Sequence, residues 1–237
     1  MSRPDGRAND ELRPVNFIPD FMRSATGSVL IEQGNTRVIC TASVIDSVPR
    51  WMAGQGRGWV TAEYGMLPAS TGERKQRDVT KGRPDGRTVE IQRLIGRSLR
   101  GIADLNALGE RTIYVDCDVL EADGGTRCAS ITGGYVALAA ALIGAGLERT
   151  LIGKVGAISV GVVNGIAMLD LDYSEDSHAE VDFNVVGTDA GTYVELQGTA
   201  EGVPFDRARV DSLLDLANSG LARLFELQAS ALATVRR

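Results

Sequence analysis

Alternating apolar and polar residues predict two groups of paired strands, one in each half of the chain. Residues 28–31 and 37–44 are strand-like and flank Gly34-Asn35, which predicts a hairpin. Residues 155–163 and 166–171 flank an Asn-Gly dipeptide, which predicts a second hairpin. The same alternation predicts four more strands, at residues 59–62, 112–120, 181–186 and 193–196.

Apolar residues recur at helical spacing in three further segments. Residues 88–105 have one apolar face with arginines beside it, which indicates an amphipathic helix. Residues 127–146 are almost wholly apolar and predict a buried helix. Residues 206–235 predict a long amphipathic helix with Asp206 as its N-cap. Residues 68–86 are rich in Gly, Pro, Ser, Thr and charge, and predict a long exposed loop.

The elements follow the order strands, helices, strands, helix, and each half has hairpins followed by helical cover. This order predicts an α+β protein with mixed β-sheets covered by helices, rather than a doubly wound βαβ series. The sequence contains no Rossmann or Walker glycine pattern in its required context. Because no linker divides the chain, we expect a single domain that spans residues 1–237.

Composition narrows the class of protein. Apolar residues make up 43% of the 237 residues and charged residues 24%, which is ordinary for a soluble globular protein. The longest apolar stretch, residues 131–146, is shorter than the roughly 20 residues of a membrane span, and no secretory signal is visible. Cys40, Cys117 and Cys128 lie far apart, which argues against disulfides and paired-cysteine zinc sites and favours a cytoplasmic location.

Charge is distributed unevenly. The net charge is −6, but residues 71–100 contain nine Lys or Arg and four Asp or Glu, a local net charge of +5 that leaves −11 elsewhere. Such asymmetry is typical of an anion-binding face on an acidic protein. A solvated basic loop and helix face would give the same pattern, and the sequence leaves both interpretations open.

The segment from Asp123 to Arg127, Asp-Gly-Gly-Thr-Arg, is the first candidate site. It lies between a predicted strand and the start of the buried helix. Glycine N–H groups, the helix N-terminus, the Thr126 hydroxyl and the Arg127 guanidinium are all suited to a phosphate. A tight turn whose arginine pairs with a nearby carboxylate is the alternative. Arg87, at the start of the preceding helix, is either a second ligand of the anion or a surface arginine.

The third candidate is an acidic segment, residues 172–182, with five carboxylates in eleven residues. It is either a solvated hairpin or a group whose crowding raises a pKa or binds a divalent cation. Asp182 differs from the others because it directly precedes an apolar run, so we expect it to be rigid and partly desolvated. His178, the one histidine of the chain, is predicted to lie in an exposed loop, with no nucleophile elbow nearby.

Several long segments closely resemble the ribonuclease PH family, which is related to polynucleotide phosphorylase and to exosome ring subunits. The matching segments are residues 3–7, 58–68, 86–97, 116–127 and 175–177, the last leading to residues 181–182. The resemblance covers essentially the whole chain, and it implies the ribonuclease PH fold. It also implies that orthophosphate, a co-substrate, binds to Arg87, Gly125, Thr126 and Arg127. Asp176 and Asp182 would be the active-site carboxylates, as a general acid, as ligands of Mg²⁺ or Mn²⁺, or both.

The resemblance further implies a reaction and its partners. The reaction is reversible phosphorolysis of the 3′-terminal nucleotide of precursor tRNA, rRNA or other structured RNA, catalysed by a homohexamer built as a trimer of dimers. Arg74, Arg77 and Arg93 are the expected RNA-binding residues. The family usually has another arginine near position 69, in a cluster linked to tRNA binding. This chain has Ala69 there, so the resemblance implies weaker tRNA binding at that position. The alternative function is a catalytically silent RNA-binding ring subunit.

Overall fold

The computed structural model describes residues 3–77, 80, 82–83 and 85–235. Two β-sheets, each covered by helices, form an α+β fold, as the order of the predicted elements indicates. Within the predicted loop at 68–86, residues 78–79, 81 and 84 lie outside the described residues. The described part of that loop from residue 71 to residue 77 is largely exposed.

The first sheet has five strands in the order β1-β2-β3-β5-β4. The strands are β1 (Val15–Pro19), β2 (Gly27–Gln33), β3 (Thr36–Ile45), β4 (Trp59–Met66) and β5 (Thr112–Glu121). β2 and β3 form the predicted hairpin, and only β4 and β5 run parallel. Because β4 and β5 are parallel, both strands end at the same edge of the sheet. The sequence did not indicate β1, a short edge strand that ends in a proline.

The second sheet is antiparallel, with the order β7-β6-β8-β9. Its strands are β6 (Val155–Val163), β7 (Ile166–Leu169), β8 (Val181–Thr188) and β9 (Tyr193–Ala200). The strand predicted at 166–171 is too long by two residues. It ends at Leu169 because Asp170 has a left-handed φ of 54° and turns its carboxylate toward Arg13 and Gln33.

In the part of the chain that the structure describes, five α-helices with given bounds connect and cover the sheets. They are α1 (Gly86–Arg100), α2 (Leu105–Leu108), α3 (Thr126–Gly144), α4 (Tyr173–Asp176) and α5 (Arg207–Leu232). Short 3₁₀ turns occur at Arg50–Met52 and Glu148–Thr150. The Asp206 side chain accepts a hydrogen bond from Arg209 N at 2.9 Å, which confirms the predicted cap of α5. The helix predicted at 88–105 ends early, at Arg100 followed by Gly101.

The buried helix α3 packs against β2 and β3 of the first sheet and against β6 of the second. It is long and apolar enough to cross a membrane by composition alone, but 83% of its most apolar window is buried inside the protein. A side chain at Gly27 would lie 2.3 Å from the carbonyl oxygen of Ala137, so β2 and α3 approach at backbone distance. This packing fixes the N-terminus of α3 where the two sheets meet.

Candidate functional site

The turn before α3 is built for close backbone approach. Gly124 and Gly125 have φ values of 72° and 65°, a region that non-glycine residues rarely occupy. A Cβ atom at Gly124 would lie 2.8 Å from the carbonyl oxygen of Leu171, so the turn is in contact with the chain that leads into α4. α3 begins at the next residue, Thr126, and its first N–H groups have no partner within the helix. The turn is therefore shaped to receive an anion.

Thr126, the first residue of α3, is held by a tyrosine of the first sheet. Tyr64, on β4, donates its hydroxyl to Thr126 Oγ1 at 3.0 Å. Burial raises the pKa of Tyr64, while the charges of Arg87 and Arg127 oppose that shift. Because Thr126 Oγ1 accepts this bond, its own proton remains available for a ligand.

Arg127 lies between α1 and β9. Its guanidinium is 12% exposed and donates to Gln197 Oε1, and Nη1 lies 3.6 Å from Glu90 Oε1. Gln197 also donates to Glu90 Oε1 at 2.9 Å. The sequence left open whether this arginine faces an anion or a local carboxylate. The structure shows a carboxylate partner, Glu90, which is about half exposed. Arg127 remains next to the turn before α3.

Arg87, the second residue of α1, faces the same region. Its side chain is exposed, and its charge lowers the pKa of Tyr64, Asp176 and Asp182 against the effect of burial. These three groups come from β4, α4 and β8, so Arg87 lies where the two sheets meet. The structure thus brings together two arginines that are 40 positions apart in the chain.

Asp176 ends α4, and Asp182 is the second residue of β8. Both are partly buried, as the sequence predicted for Asp182. Burial raises the pKa of Asp176, and the charges of Arg87, Arg127 and Arg13 oppose that shift. Burial also raises the pKa of Asp182, and the neighbouring Asp176 raises it further. Two interacting carboxylates of this kind can share a proton or a cation.

The three expected RNA-binding arginines lie outside this group. Arg74 and Arg77 are in the loop after β4, and Arg93 is on α1; all three are exposed. Their side chains form no hydrogen bond or ion pair with another described residue, although the Arg77 carbonyl oxygen accepts from Thr80 N at 3.0 Å. Ala69 is exposed in the same loop. The structure gives these side chains a surface position and no contact with the site.

Two buried arginines next to the site were missed by reasoning from local pattern. Arg13 donates to Asp170 Oδ1 at 2.7 Å and to the carbonyl oxygen of Asp123. Burial lowers the pKa of Arg13, but the Asp170 carboxylate outweighs it and the net shift is upward. Arg3 pairs with Glu175, 172 positions away. For Arg3, the signal in the sequence was the family resemblance at residues 3–7. No short-range pattern links two partners so far apart in the chain.

The remaining candidates have local roles. His178 is exposed, and its Nδ1 atom lies 2.8 Å from the carbonyl oxygen of Ser174, which agrees with the predicted loop histidine. Cys40, Cys117 and Cys128 are buried and free, as small core residues.

The chain matches the model of the 3′ exoribonuclease family, domain 1, over residues 11–144, and that of domain 2 over residues 153–220. It therefore belongs to the 3′ exoribonuclease family, the ribonuclease PH family that its motifs resemble. The fold and the two domain matches agree with that assignment.

Solved structures show the same fold. Rice (Oryza sativa) Rrp46 superposes with a TM-score of 0.80 at 19% identity, covering 98% of this chain and 100% of that chain. The Archaeoglobus fulgidus exosome with RNA bound to its active site gives a TM-score of 0.80 at 22% identity, with coverages of 95% and 92%. An archaeal exosome core gives 0.73 at 21% identity, with coverages of 96% and 91%.

Proposed function

We propose that this protein is a phosphate-dependent 3′→5′ exoribonuclease that releases the 3′-terminal nucleotide of RNA as a nucleoside diphosphate. The observation that carries the proposal is a single region that combines an uncapped helix N-terminus, two arginines and two carboxylates of raised pKa. Membership of the 3′ exoribonuclease family supports it. Phosphorolysis needs this combination because one anion attacks another and the leaving oxygen needs a proton or a cation.

Orthophosphate is the ligand of the turn before α3. The N–H groups at the helix start, including that of Gly125, and the Thr126 hydroxyl donate to its oxygens, and the guanidinium groups of Arg127 and Arg87 neutralise its charge. The hydrogen bond from Tyr64 directs the Thr126 proton toward the phosphate. Charge-assisted donors of this kind hold the nucleophile and stabilise the additional charge of the transition state.

Asp176 and Asp182 act at the leaving group. A phosphate oxygen attacks the last phosphorus of the RNA, the bond from that phosphorus to the 3′ oxygen breaks, and the shortened RNA takes a proton. A carboxyl group whose pKa is raised by burial is suited to donate that proton. The pair also fits Mg²⁺ or Mn²⁺, because magnesium sites use one or two carboxylates and complete the shell with substrate phosphates and water. Among the described residues, no group of three or more His, Cys, Asp or Glu side chains is placed to hold a metal ion.

The RNA itself is proposed to lie along the basic segment, with Arg74, Arg77 and Arg93 on its phosphates. The local charge of +5 on an otherwise acidic chain supports this arrangement. We propose precursor tRNA 3′ ends and other structured RNA as substrates, a homohexameric ring as the assembly and the cytoplasm as the location. One similar structure is an exosome with RNA bound to its active site, which supports RNA as the ligand here.

The test is to incubate the protein with 3′-tailed RNA and a divalent cation, with and without phosphate, and to identify the product. We expect shortening only with phosphate and release of nucleoside diphosphates. Nucleoside monophosphates formed without phosphate would contradict the proposal and indicate a hydrolytic metal nuclease. RNA binding with no released nucleotide would instead indicate a catalytically silent ring subunit.

A further inference from the structure

The first described residue, Arg3, is anchored in the second half of the fold. It is 3% exposed, and its guanidinium donates to both oxygens of Glu175, from Nε to Oε1 at 2.8 Å and from Nη2 to Oε2 at 2.6 Å. Its remaining donors bond to the carbonyl oxygens of Leu169 at 2.8 Å and Asp170 at 3.1 Å. The guanidinium is thus fixed on β7 and presents a rigid fork to Glu175.

Glu175 connects Arg3 to α4, because it is also part of the capping box of that helix. The helix is a single turn closed by a capping box: Asp172 Oδ1 accepts from Glu175 N at 3.0 Å, and Glu175 Oε2 accepts from Asp172 N at 3.2 Å. One isolated turn has almost no stability of its own because helix nucleation is unfavourable. The contacts that orient α4 are therefore tertiary: Tyr173 N donates to Asp123 Oδ1 at 3.2 Å at the start of the turn, and the Arg3–Glu175 pair holds its third residue. The next residue in this turn is Asp176, whose N–H donates to Asp172 O at 2.8 Å.

Stability alone is a poor explanation for this pair. Both side chains are at least 95% buried, and a buried ion pair contributes little more to folding than apolar residues of the same volume. What an apolar pair would lack is direction, since only a bidentate contact fixes Glu175 and the turn that it caps. The pair is better explained as a contact that fixes the orientation of Glu175 and of the α4 turn.

We propose that Arg3, acting through Glu175, is a positioning residue that holds the Asp176 carboxylate in place beside Asp182. This inference rests on the proposed phosphorolytic function. Arg3 touches neither the proposed phosphate site nor the RNA track, so its effect belongs to the rate of the chemical step and not to the affinity for phosphate.

The first experiment uses the full-length double variant Arg3→Met/Glu175→Met, which replaces the ion pair by apolar side chains. Arg7, whose Nη2 atom lies 3.7 Å from Glu175 Oε2, keeps its ion pair with Asp5 in this variant. We expect kcat to fall on the order of 10–100-fold, because small misplacements of a reacting group cost about that much, while KM for phosphate stays within about twofold. The exposed pair Arg223–Glu226 on α5 provides the matched control, Arg223→Met/Glu226→Met, which should leave both constants unchanged. Unchanged kcat in the first variant, or an equal loss in KM, would overturn the proposal.

A second variant covers failure of the double variant to fold. Arg3→Lys keeps the charge but offers a point charge in place of a planar fork, so the same selective loss of kcat is expected. Full activity of Arg3→Lys would show that charge alone suffices and would contradict positioning by the bidentate contact.

A readout independent of activity is hydrogen exchange at the backbone N–H of Asp176, which donates to Asp172 O at 2.8 Å. A loosened α4 turn should exchange this proton faster in Arg3→Met/Glu175→Met than in the wild type, whereas Arg223→Met/Glu226→Met should leave the rate unchanged. An unchanged exchange rate in the first variant would overturn the proposal. If the wild type releases no nucleoside diphosphate, the proposed function fails, but the exchange rate still decides whether Arg3 orders the turn that carries Asp176.

Discussion

Arg127 lies where three elements meet: at the start of α3, beside Glu90 of α1 and Gln197 of β9. Glu90 is a half-exposed partner, so a doubly charged phosphate can replace it without leaving a buried carboxylate unpaired. We therefore propose that Arg127 binds the attacking phosphate and that the two carboxylates act at the leaving group.

We expect Arg127→Ala to lose phosphate-dependent activity while the fold survives. A charge-assisted contact is worth on the order of 1.5–3 kcal/mol, which corresponds to about 10–150-fold in kcat/KM for phosphate. Steady-state rates over a phosphate titration check this, with thermal unfolding as the test of the fold. Arg97→Ala is the matched control, since Arg97 also reaches β9, through Glu195, and lies outside the site. Equal losses in both variants would contradict the assignment.

Asp182→Asn should separate activity from stability. Loss of a general acid or metal ligand is expected to lower kcat by about 10²–10⁴-fold, with a smaller effect on RNA affinity. Rate and binding measured on the same 3′-tailed RNA check this difference. Equal losses in rate and RNA affinity would count against a role at the leaving group.

The same variant has a predicted signature in stability. Burial and Asp176 raise the pKa of Asp182, so the folded chain binds this proton more tightly than the unfolded chain. The resulting stability is fully present below the ordinary pKa of 3.8 and is lost as the pH rises through the folded pKa. Asparagine cannot ionise, so Asp182→Asn should have a higher Tm than the wild type at neutral pH. The difference should shrink in acid; a lower Tm at neutral pH would be inconsistent with a destabilising carboxylate.

Helix α3 is the element that determines where the site forms. Its N-terminus is the proposed anion site, and its body is buried between the two sheets, so the packing of the body fixes the position of the first turn. Close approach to β2 depends on Gly27, where a Cβ atom would meet the backbone of Ala137 and Ala141. This clash is with backbone, so no side-chain rotation can relieve it.

We therefore expect Gly27→Ala to destabilise the protein by about 1–3 kcal/mol or more and to weaken phosphate binding by moving α3. Gly144→Ala, at the end of the same helix, is the control, because its nearest neighbour would be 3.8 Å away and alanine favours helix by roughly 0.5–1 kcal/mol. Urea unfolding of both variants measures the difference. A Gly27→Ala protein as stable as the control would show that β2 and α3 can separate at little cost.

Most of these elements could be predicted from periodicity, because α3, α5 and the hairpins have strong local signals. α4 could not: its acidic residues are typical of a solvated loop, and the feature that orders it is Arg3, which is distant in sequence. The β4–β5 pairing was missed for the same reason, since parallel neighbours need no local turn. The site residues Thr126, Arg127 and Asp182 had local signals, whereas their convergence with Arg87 is a product of tertiary packing.

Across the whole molecule, the proposed phosphate site and the proposed RNA-binding segment differ in exposure. Thr126 is buried at the start of α3, whereas Arg74 and Arg77 lie exposed in the basic segment. We expect Arg74→Ala/Arg77→Ala to raise KM for RNA and to reduce the salt dependence of that KM by about two counterions, with KM for phosphate unchanged.

Rates measured over a range of salt concentrations check the role of the basic segment. The control is Arg207→Ala/Arg223→Ala, which removes two exposed arginines of α5. A salt dependence that falls equally in both variants would mean that overall charge, and not the loop after β4, attracts the RNA.

We propose that phosphate bound at the start of α3 is the nucleophile and ends in the product. The fate of isotopically labelled orthophosphate during shortening of a 3′-tailed RNA by the wild-type protein tests this directly. We expect the released nucleotides to be diphosphates whose β-phosphorus comes entirely from the labelled phosphate. Release of unlabelled monophosphates at a rate independent of phosphate would contradict it.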